Sequence, residues 1–120
     1  MFDTQENRYI TRVVNEQVPK GIQHCCFQLI DEKVKQAEIQ LDYLQIFEFN
    51  RDDQRGTITI VHRQEEPFFI DYSEIRITKD LVNFQIKKLW VIDDHTHQTC
   101  YYQKSINNKG KALSKQIRSF

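Results

Sequence analysis

The sequence predicts an α+β fold in which one antiparallel sheet of four to six strands carries a single main helix on one face. Two observations predict it. Apolar residues recur at helical spacing over residues 19–37, and most of the remaining chain consists of β-branched and aromatic runs separated by polar turns. With 120 residues, 39% of them hydrophobic, the chain has the size and composition of one globular domain. We expect that domain over residues 1–103 and a basic tail over residues 104–120.

The first strand and the helix follow from residues 8–37. Residues 8–14 are rich in β-branched and aromatic side chains, which is typical of a strand. Pro19 suits the first turn of a helix, where its missing N–H costs nothing. The apolar residues that follow lie on one helical face: Ile22, Cys25, Cys26, Leu29, Ile30, Val34, Ala37 and Leu41. We predict a helix from about residue 19 to 37.

The remaining strands are predicted from alternating runs and the turns between them. Residues 43–49 and 57–62 form a hairpin in this interpretation, because the segment between them is polar and contains Gly56. Residues 68–77 form another extended segment, and residues 86–102 form a second hairpin around a polar centre.

Charge, apolar runs and cysteine content restrict the classes of protein to which the chain can belong. The chain has 17 basic and 17 acidic residues, but the tail has five basic residues and no acid, so the remaining chain has 12 basic and 17 acidic ones. No apolar run has the length of a membrane span and no signal segment begins the chain, so we expect a cytoplasmic protein. The odd count of three cysteines predicts reduced thiols.

The centre of the second hairpin holds the strongest candidates for a metal site, namely Asp93, Asp94, His95 and His97. Imidazole and carboxylate ligands together suit zinc or a related divalent ion. An ordinary polar turn has the same composition, and no other cysteine or histidine lies at a diagnostic spacing. We therefore expect a turn, and keep a divalent-metal site or enzyme at this tip as the third hypothesis.

Catalysis by Cys25 or Cys26 beside His24 is the other chemical alternative. Both cysteines lie on the apolar side of the predicted helix, and a core thiol is inert. The sequence has no phosphate-binding loop, dinucleotide fingerprint or nucleophile elbow. We expect no enzymatic activity and no cofactor.

The basic tail is the candidate for nucleic-acid binding, the second hypothesis. Basic side chains neutralise phosphates, and a tail of this kind is either a short helix or a flexible terminus. The candidate residues are Lys104, Lys109, Lys111, Lys115 and Arg118.

The aromatic residues favour a different class of function, the binding of a protein partner. The chain is rich in them, and one sheet with one helix cannot cover both sheet faces. A partner protein or a second copy of the chain would suit a face left open. The aromatics concerned are Phe2, Tyr9, Phe68, Phe69, Tyr72, Tyr101 and Tyr102. An interaction or regulatory role is our leading hypothesis.

Three stretches, residues 8–12, 42–47 and 89–94, occur in the order and spacing of a known family. On these motifs the chain resembles the bacterial family Domain of Unknown Function 960. The resemblance implies a small cytoplasmic protein of a Gram-positive lineage with no established activity, cofactor or catalytic residue. It also implies an origin on a mobile element, such as a chromosomal cassette or phage-like region, and a role in element maintenance or evasion of host defence. Family members commonly have a glycine where this chain has His95, which makes His95 a poor candidate for a shared function.

Overall fold

The structure, a computed structural model, describes residues 1–3, 5–102 and 117–119, the last three by their backbone alone. A 3-10 turn at Lys79–Leu81 lies between the fourth and fifth strands. The elements of the described chain are β1 (Asn7–Thr11), α1 (Arg12–Gln17), α2 (Lys20–Gln36), β2 (Leu44–Asp52), β3 (Thr57–Gln64), β4 (Phe69–Arg76), β5 (Lys88–Asp93), β6 (His97–Tyr102) and β7 (Ile117–Ser119).

The strands form one sheet in the order β4-β3-β2-β5-β6-β1-β7. Six of these strands come from the first 102 residues, and the short β7 adds a seventh at the β1 edge. The α+β class is confirmed, but a purely antiparallel sheet is wrong because β1 pairs parallel with β6. Hairpin turns fix β2–β3, β3–β4 and β5–β6 as antiparallel pairs. No hairpin follows β1. The chain enters a helix there instead, so its direction is set by the path of the helices across the sheet.

The two helices begin differently, α1 at a capping threonine and α2 after a proline. The strand predicted over residues 8–14 ends at Thr11, whose hydroxyl accepts the N–H of Val14 at 3.4 Å and so caps α1. The predicted main helix is confirmed as α2, which starts directly after Pro19. It ends at Ala37, which adopts the left-handed conformation with φ of 54°.

The core lies between α2 and one face of the sheet, as predicted. Ile22, Cys26, Phe27 and Ile30 of α2 are buried in it. The sheet contributes the buried side chains of Ile10, Phe47, Phe49, Ile58, Ile60, Phe69, Leu89, Val91 and Cys100. Alternate residues of each strand point to the opposite face, which has no helix among the described residues and is called the open face below.

The predicted tail lies mostly beyond the described residues, including Lys104, Lys109, Lys111 and Lys115. The backbone of Ile117–Ser119 forms β7 and pairs antiparallel with β1, so this part of the predicted short helix is a strand. Arg118 is the register partner of Ile10.

The thiols lie where the helical pattern placed them. Cys26 and Cys100 are fully buried, and burial raises the pKa of Cys100 to about 12 and that of Cys26 well above its ordinary value. Cys25 is half-buried, and burial raises its pKa too. Thiols of raised pKa are poor nucleophiles. No helix of the described chain is long and apolar enough to span a membrane.

Candidate interaction surface

A row of five neighbouring side chains crosses the open face at its middle. Ile70 of β4 lies opposite Arg63 of β3, which lies opposite Ile46 of β2. Ile46 in turn pairs with Trp90 of β5, and Trp90 pairs with Tyr101 of β6. Ile46 is buried but does not belong to the core under α2, so this row forms a second apolar layer on the outer side of the sheet.

Ion pairs sit beside this row on the same face. Glu48 of β2 accepts from Arg63 at 3.2 Å and from Lys88 of β5 at 3.4 Å. The two cations outweigh burial and lower the pKa of Glu48, so the carboxylate stays charged. Three strands are thus joined by a charged cluster with one positive charge in excess, next to apolar side chains. Protein–protein interfaces combine a core enriched in aromatic side chains and arginine with a polar rim.

The indole of Trp90 leaves a polar group without a partner. Its Nε1 is buried and has no hydrogen-bond acceptor among the described residues. An unsatisfied buried donor costs about 1–3 kcal/mol. The neighbouring Tyr101 is half-buried, and burial raises the pKa of its hydroxyl. The centre of the open face therefore holds a buried indole N–H that is not satisfied by the described residues.

Three exposed apolar side chains, among them the two most exposed apolar ones of the described residues, Phe68 and Tyr72, lie along the β4 edge of the sheet. Phe68 is 65% exposed in the turn before β4, and Ile70 and Tyr72 of β4 are 37% and 67% exposed. Strand alternation places Ile70 and Tyr72 on the open face, continuous with the central row. We call these three residues the edge patch. Large side chains left in water at adjacent positions are typical of binding surfaces.

On the helix side of the same edge lies a buried imidazole. His62 of β3 is 2% exposed, stacks on Phe47 and meets Phe69 edge-on. Burial lowers the pKa of His62 from 6.5 to about 4, while Asp71 raises it and Lys33 lowers it further. A cavity of about 270 Å³ between α2 and β4 is lined by His62 with Lys33 and Asp71, which are joined by an ion pair of 2.8 Å.

Glutamine side chains fix the tautomer of this imidazole. Gln45 Nε2 donates to the carbonyl of Asp42 at 3.1 Å and to Gln64 Oε1 at 2.7 Å, so Gln45 Oε1 accepts the Nε2–H of His62 at 2.7 Å. Gln64 also accepts the N–H of Asp42 and donates to the carbonyls of Gln40 and Pro67. The network joins the start of β2 to the β3–β4 turn and so holds the turn that presents the edge patch.

At the tip of the β5–β6 hairpin, Asp93 and Asp94 stabilise the turn by accepting backbone hydrogen bonds. Asp93 is buried and accepts the backbone N–H groups of Phe2 and His95. Asp94 accepts the backbone N–H groups of Thr96 and His97, each at 3.0 Å. Although desolvation raises it, these bonds and that of the Thr96 hydroxyl lower the pKa of Asp94 to about 2. Both carboxylates are thus engaged in turn hydrogen bonds.

The two histidines of the tip do not converge on a common point. Both ring nitrogens of His97 have partners, Asp94 Oδ2 at 3.2 Å and Thr96 Oγ1 at 2.9 Å, and its ring meets that of Tyr9 edge-on. His95 is exposed and has a φ of 77°. Among the described residues no group of three or more histidine, cysteine or acidic side chains has the arrangement that holds a metal ion. The metal hypothesis finds no assembled ligand set in this tip.

The aromatic residues named from the sequence divide between core and surface. Phe2 and Phe69 are buried, and Tyr9, Tyr101 and Tyr102 are half-buried. Only Phe68 and Tyr72 of that set are exposed. Sequence reasoning missed Ile70, although its alternation with Tyr72 around the polar Asp71 was a usable signal. The four lysines of the nucleic-acid hypothesis lie outside the described residues, and the side chain of Arg118 is not described.

A family model described as a Staphylococcal protein of unknown function, DUF960, matches residues 7–104. The chain belongs to this family. The resemblance read from the three sequence motifs is thus confirmed, and the match spans every strand of the sheet except β7.

One solved structure is similar to this member of the DUF960 family. It is the crystal structure of a protein of unknown function from Enterococcus faecalis, with a TM-score of 0.73 and 20% sequence identity. The alignment covers 86% of this chain and 92% of that chain. At this identity the likeness supports the fold alone. No curated protein matches the chain.

Proposed function

We propose that this DUF960 protein is a non-enzymatic interaction module that binds a partner protein through the edge patch and the adjoining open face. One observation carries the proposal. Phe68, Ile70 and Tyr72 are exposed side by side at 65%, 37% and 67%, where folding alone would favour polar residues. Tyrosine and phenylalanine contribute large apolar areas to interfaces at a small entropic cost.

The chemistry of the surface suits a protein rather than a small molecule. The central row extends across five strands, with the Glu48 ion pairs beside it, which gives a broad surface. Small-molecule sites are concave and enclose most of their ligand. A role in element maintenance or evasion of host defence, as the family resemblance suggests, fits a binding function because neither role needs catalysis by this chain.

The test is affinity capture from the native host with matched baits, followed by mass spectrometry. A bait carrying Phe68→Ser and Tyr72→Ser should lose a partner that the unmodified protein enriches, by at least tenfold. Val82→Ser is the control, because Val82 is 53% exposed in the 3-10 turn region, outside β4 and the open face. Equal capture by the double variant and the unmodified protein would refute the proposal. Sedimentation of the unmodified protein separates a second copy of the chain from a different partner.

A further inference from the structure

β4 is an outer strand of the sheet, and within the described chain it pairs with β3 alone. The ladder between them runs through eight consecutive register pairs, from Thr57↔Arg76 to Gln64↔Phe69, with no bulge. The strand itself contains no proline. Bulges, prolines and very short strands are the usual devices that prevent an edge from pairing further. β4 therefore presents a regular, extended backbone to its surroundings.

The register determines which backbone groups of β4 point outward. The N–H of Ile77 donates to the carbonyl of its opposite residue, Gly56, at 2.9 Å, so these residues form a hydrogen-bonded pair. In an antiparallel ladder such pairs occur at every second position, so odd-numbered residues of β4 bond to β3. The N–H and C=O groups that face away from β3 belong to Ile70, Tyr72, Glu74 and Arg76.

The same even-numbered residues direct their side chains to the open face. Backbone groups without a strand partner and the exposed side chains of Ile70 and Tyr72 therefore lie on the same residues. A strand added at this edge would gain hydrogen bonds from the backbone and apolar contact from those side chains at once. This combination is the basis of peptide recognition by strand addition.

The acidic residues near the β4 edge favour a basic incoming segment. Residues 65–76 contain four acidic residues and one basic residue, Arg76. Asp71 and Glu74 are ion-paired with Lys33 and Arg55, so the free negative charge of this edge is on Glu65 and Glu66. The side chains of Glu65 and Glu66 are exposed and have no hydrogen bond or ion pair with any residue of the described part of the chain. A second copy of this edge offers only one basic residue between positions 65 and 76, whereas a strand that contains several lysines or arginines would be attracted to Glu65 and Glu66. The edge therefore fits a basic partner better than a second β4.

We propose that the partner protein binds by adding an extended segment, in which basic residues alternate with apolar ones, as a further strand beside β4. This inference rests on the proposed function and specifies its mode. Apolar side chains of the segment lie against Ile70 and Tyr72, and its basic side chains lie near Glu65 and Glu66. Its backbone bonds to the outward groups of Ile70, Tyr72 and Glu74.

The first test uses a synthetic ten-residue peptide that alternates valine and lysine, with the full-length ¹⁵N-labelled protein. Amide hydrogen exchange of Ile70, Tyr72 and Glu74 should slow at least tenfold when the peptide is present. The amides of Asp71 and Ser73 already bond to β3 and serve as internal references. A peptide alternating valine and glutamate is the matched control and should leave exchange unchanged. Absence of protection, or equal protection by both peptides, overturns the proposal.

The second test compares two substitutions at one position. Tyr72→Pro removes an outward N–H without breaking the ladder to β3, whereas Tyr72→Thr removes the ring but keeps that N–H. Exchange protection at Ile70 and Glu74 by the valine–lysine peptide should fall at least tenfold more in Tyr72→Pro than in Tyr72→Thr. Equal protection in the two variants overturns strand addition. Thermal unfolding checks that both variants are folded.

Capture from the host distinguishes failure of this mode from failure of the proposed function. Partner capture that survives Tyr72→Pro but is lost in the Phe68→Ser, Tyr72→Ser double variant means that the surface binds without an added strand. Capture that survives all of these variants refutes the proposed function itself.

Discussion

His62 lies flat against Phe47, with 4.5 Å between the ring centroids and 12° between the ring planes. The imidazole is held in this stack in its neutral form, because burial lowers its pKa to about 4. His62 lies on β3, the strand that pairs with β4, next to the outward-facing Arg63.

The buried imidazole predicts a loss of stability in mild acid. The folded-state pKa lies below the unfolded value of 6.5, so between these values the unfolded chain binds a proton that the folded chain does not. The free energy of unfolding should therefore fall as the pH drops from 6.5 towards 4, by on the order of 3 kcal/mol. Urea unfolding at a series of pH values measures it. His62→Gln, which keeps a donor for Gln45 but does not titrate, should give a flatter profile; parallel profiles would contradict this origin.

Removing Gln64 should destabilise the turn before β4. The amide is fully buried and makes four hydrogen bonds, so Gln64→Leu leaves the carbonyls of Gln40 and Pro67 and the N–H of Asp42 without that partner. We expect a loss of about 2–4 kcal/mol in urea unfolding. Gln54→Leu, an exposed position, is the control and should change stability by less than about 0.5 kcal/mol. A small effect at Gln64 would mean that water replaces the network readily.

Replacing His95 by glycine should stabilise the protein. Its φ of 77° lies in the left-handed region, where a side chain is disfavoured and glycine is not. His95→Gly should raise the free energy of unfolding by about 0.5–1 kcal/mol, and His95→Val should lower it, because β-branched residues tolerate this conformation least. Thermal unfolding of the two variants gives the comparison.

Zinc should not stabilise the protein through the hairpin tip. The carboxylates of Asp93 and Asp94 and both ring nitrogens of His97 are already engaged within the hairpin and with the N-terminal residues. Addition of equimolar zinc should leave the Tm within about 1 °C of the metal-free value, and the His95→Ala, His97→Ala double variant should respond identically. A zinc-dependent rise that the double variant abolishes would restore the metal hypothesis.

The sequence predicted α2 and the β2–β3 turn correctly, because neighbouring residues determine where these elements begin and end. The apolar repeat after Pro19 sufficed for α2, and Gly56, with φ of 66°, marks the β2–β3 turn as expected. At residues 12–14 the β-branched side chains favour a strand, yet the Thr11 cap and the burial of Val14 in the core stabilise a helix. Tertiary packing outweighs intrinsic preference there.

The binding surface was harder to predict because it depends on strand order. The sequence showed that some aromatics must stay in water, but only the strand order shows that β4 lies at the edge, where Tyr72 faces the open side while Phe69 of the same strand faces the core. The structural role of the buried Asp93 carboxylate could not be predicted either, because its partner, the N–H of Phe2, is 91 residues away in the sequence. Contacts between distant parts of a chain leave no local periodic signal.

The parallel pairing of β1 with β6 has a consequence for synthesis of the protein. Asn7 to Ile10 find their register partners only at His97 to Cys100, so this strand leaves the ribosome long before its neighbour exists. Closing a loop of about 90 residues is slow compared with forming a local hairpin. During translation the hairpins of β2, β3 and β4 can form early, whereas β1 has no partner until β6 is made, and β2 gains its second neighbour only when β5 is made. A nascent chain of this protein therefore carries β1 without a strand partner until β6 is made, and during that interval β1 is exposed to mispairing.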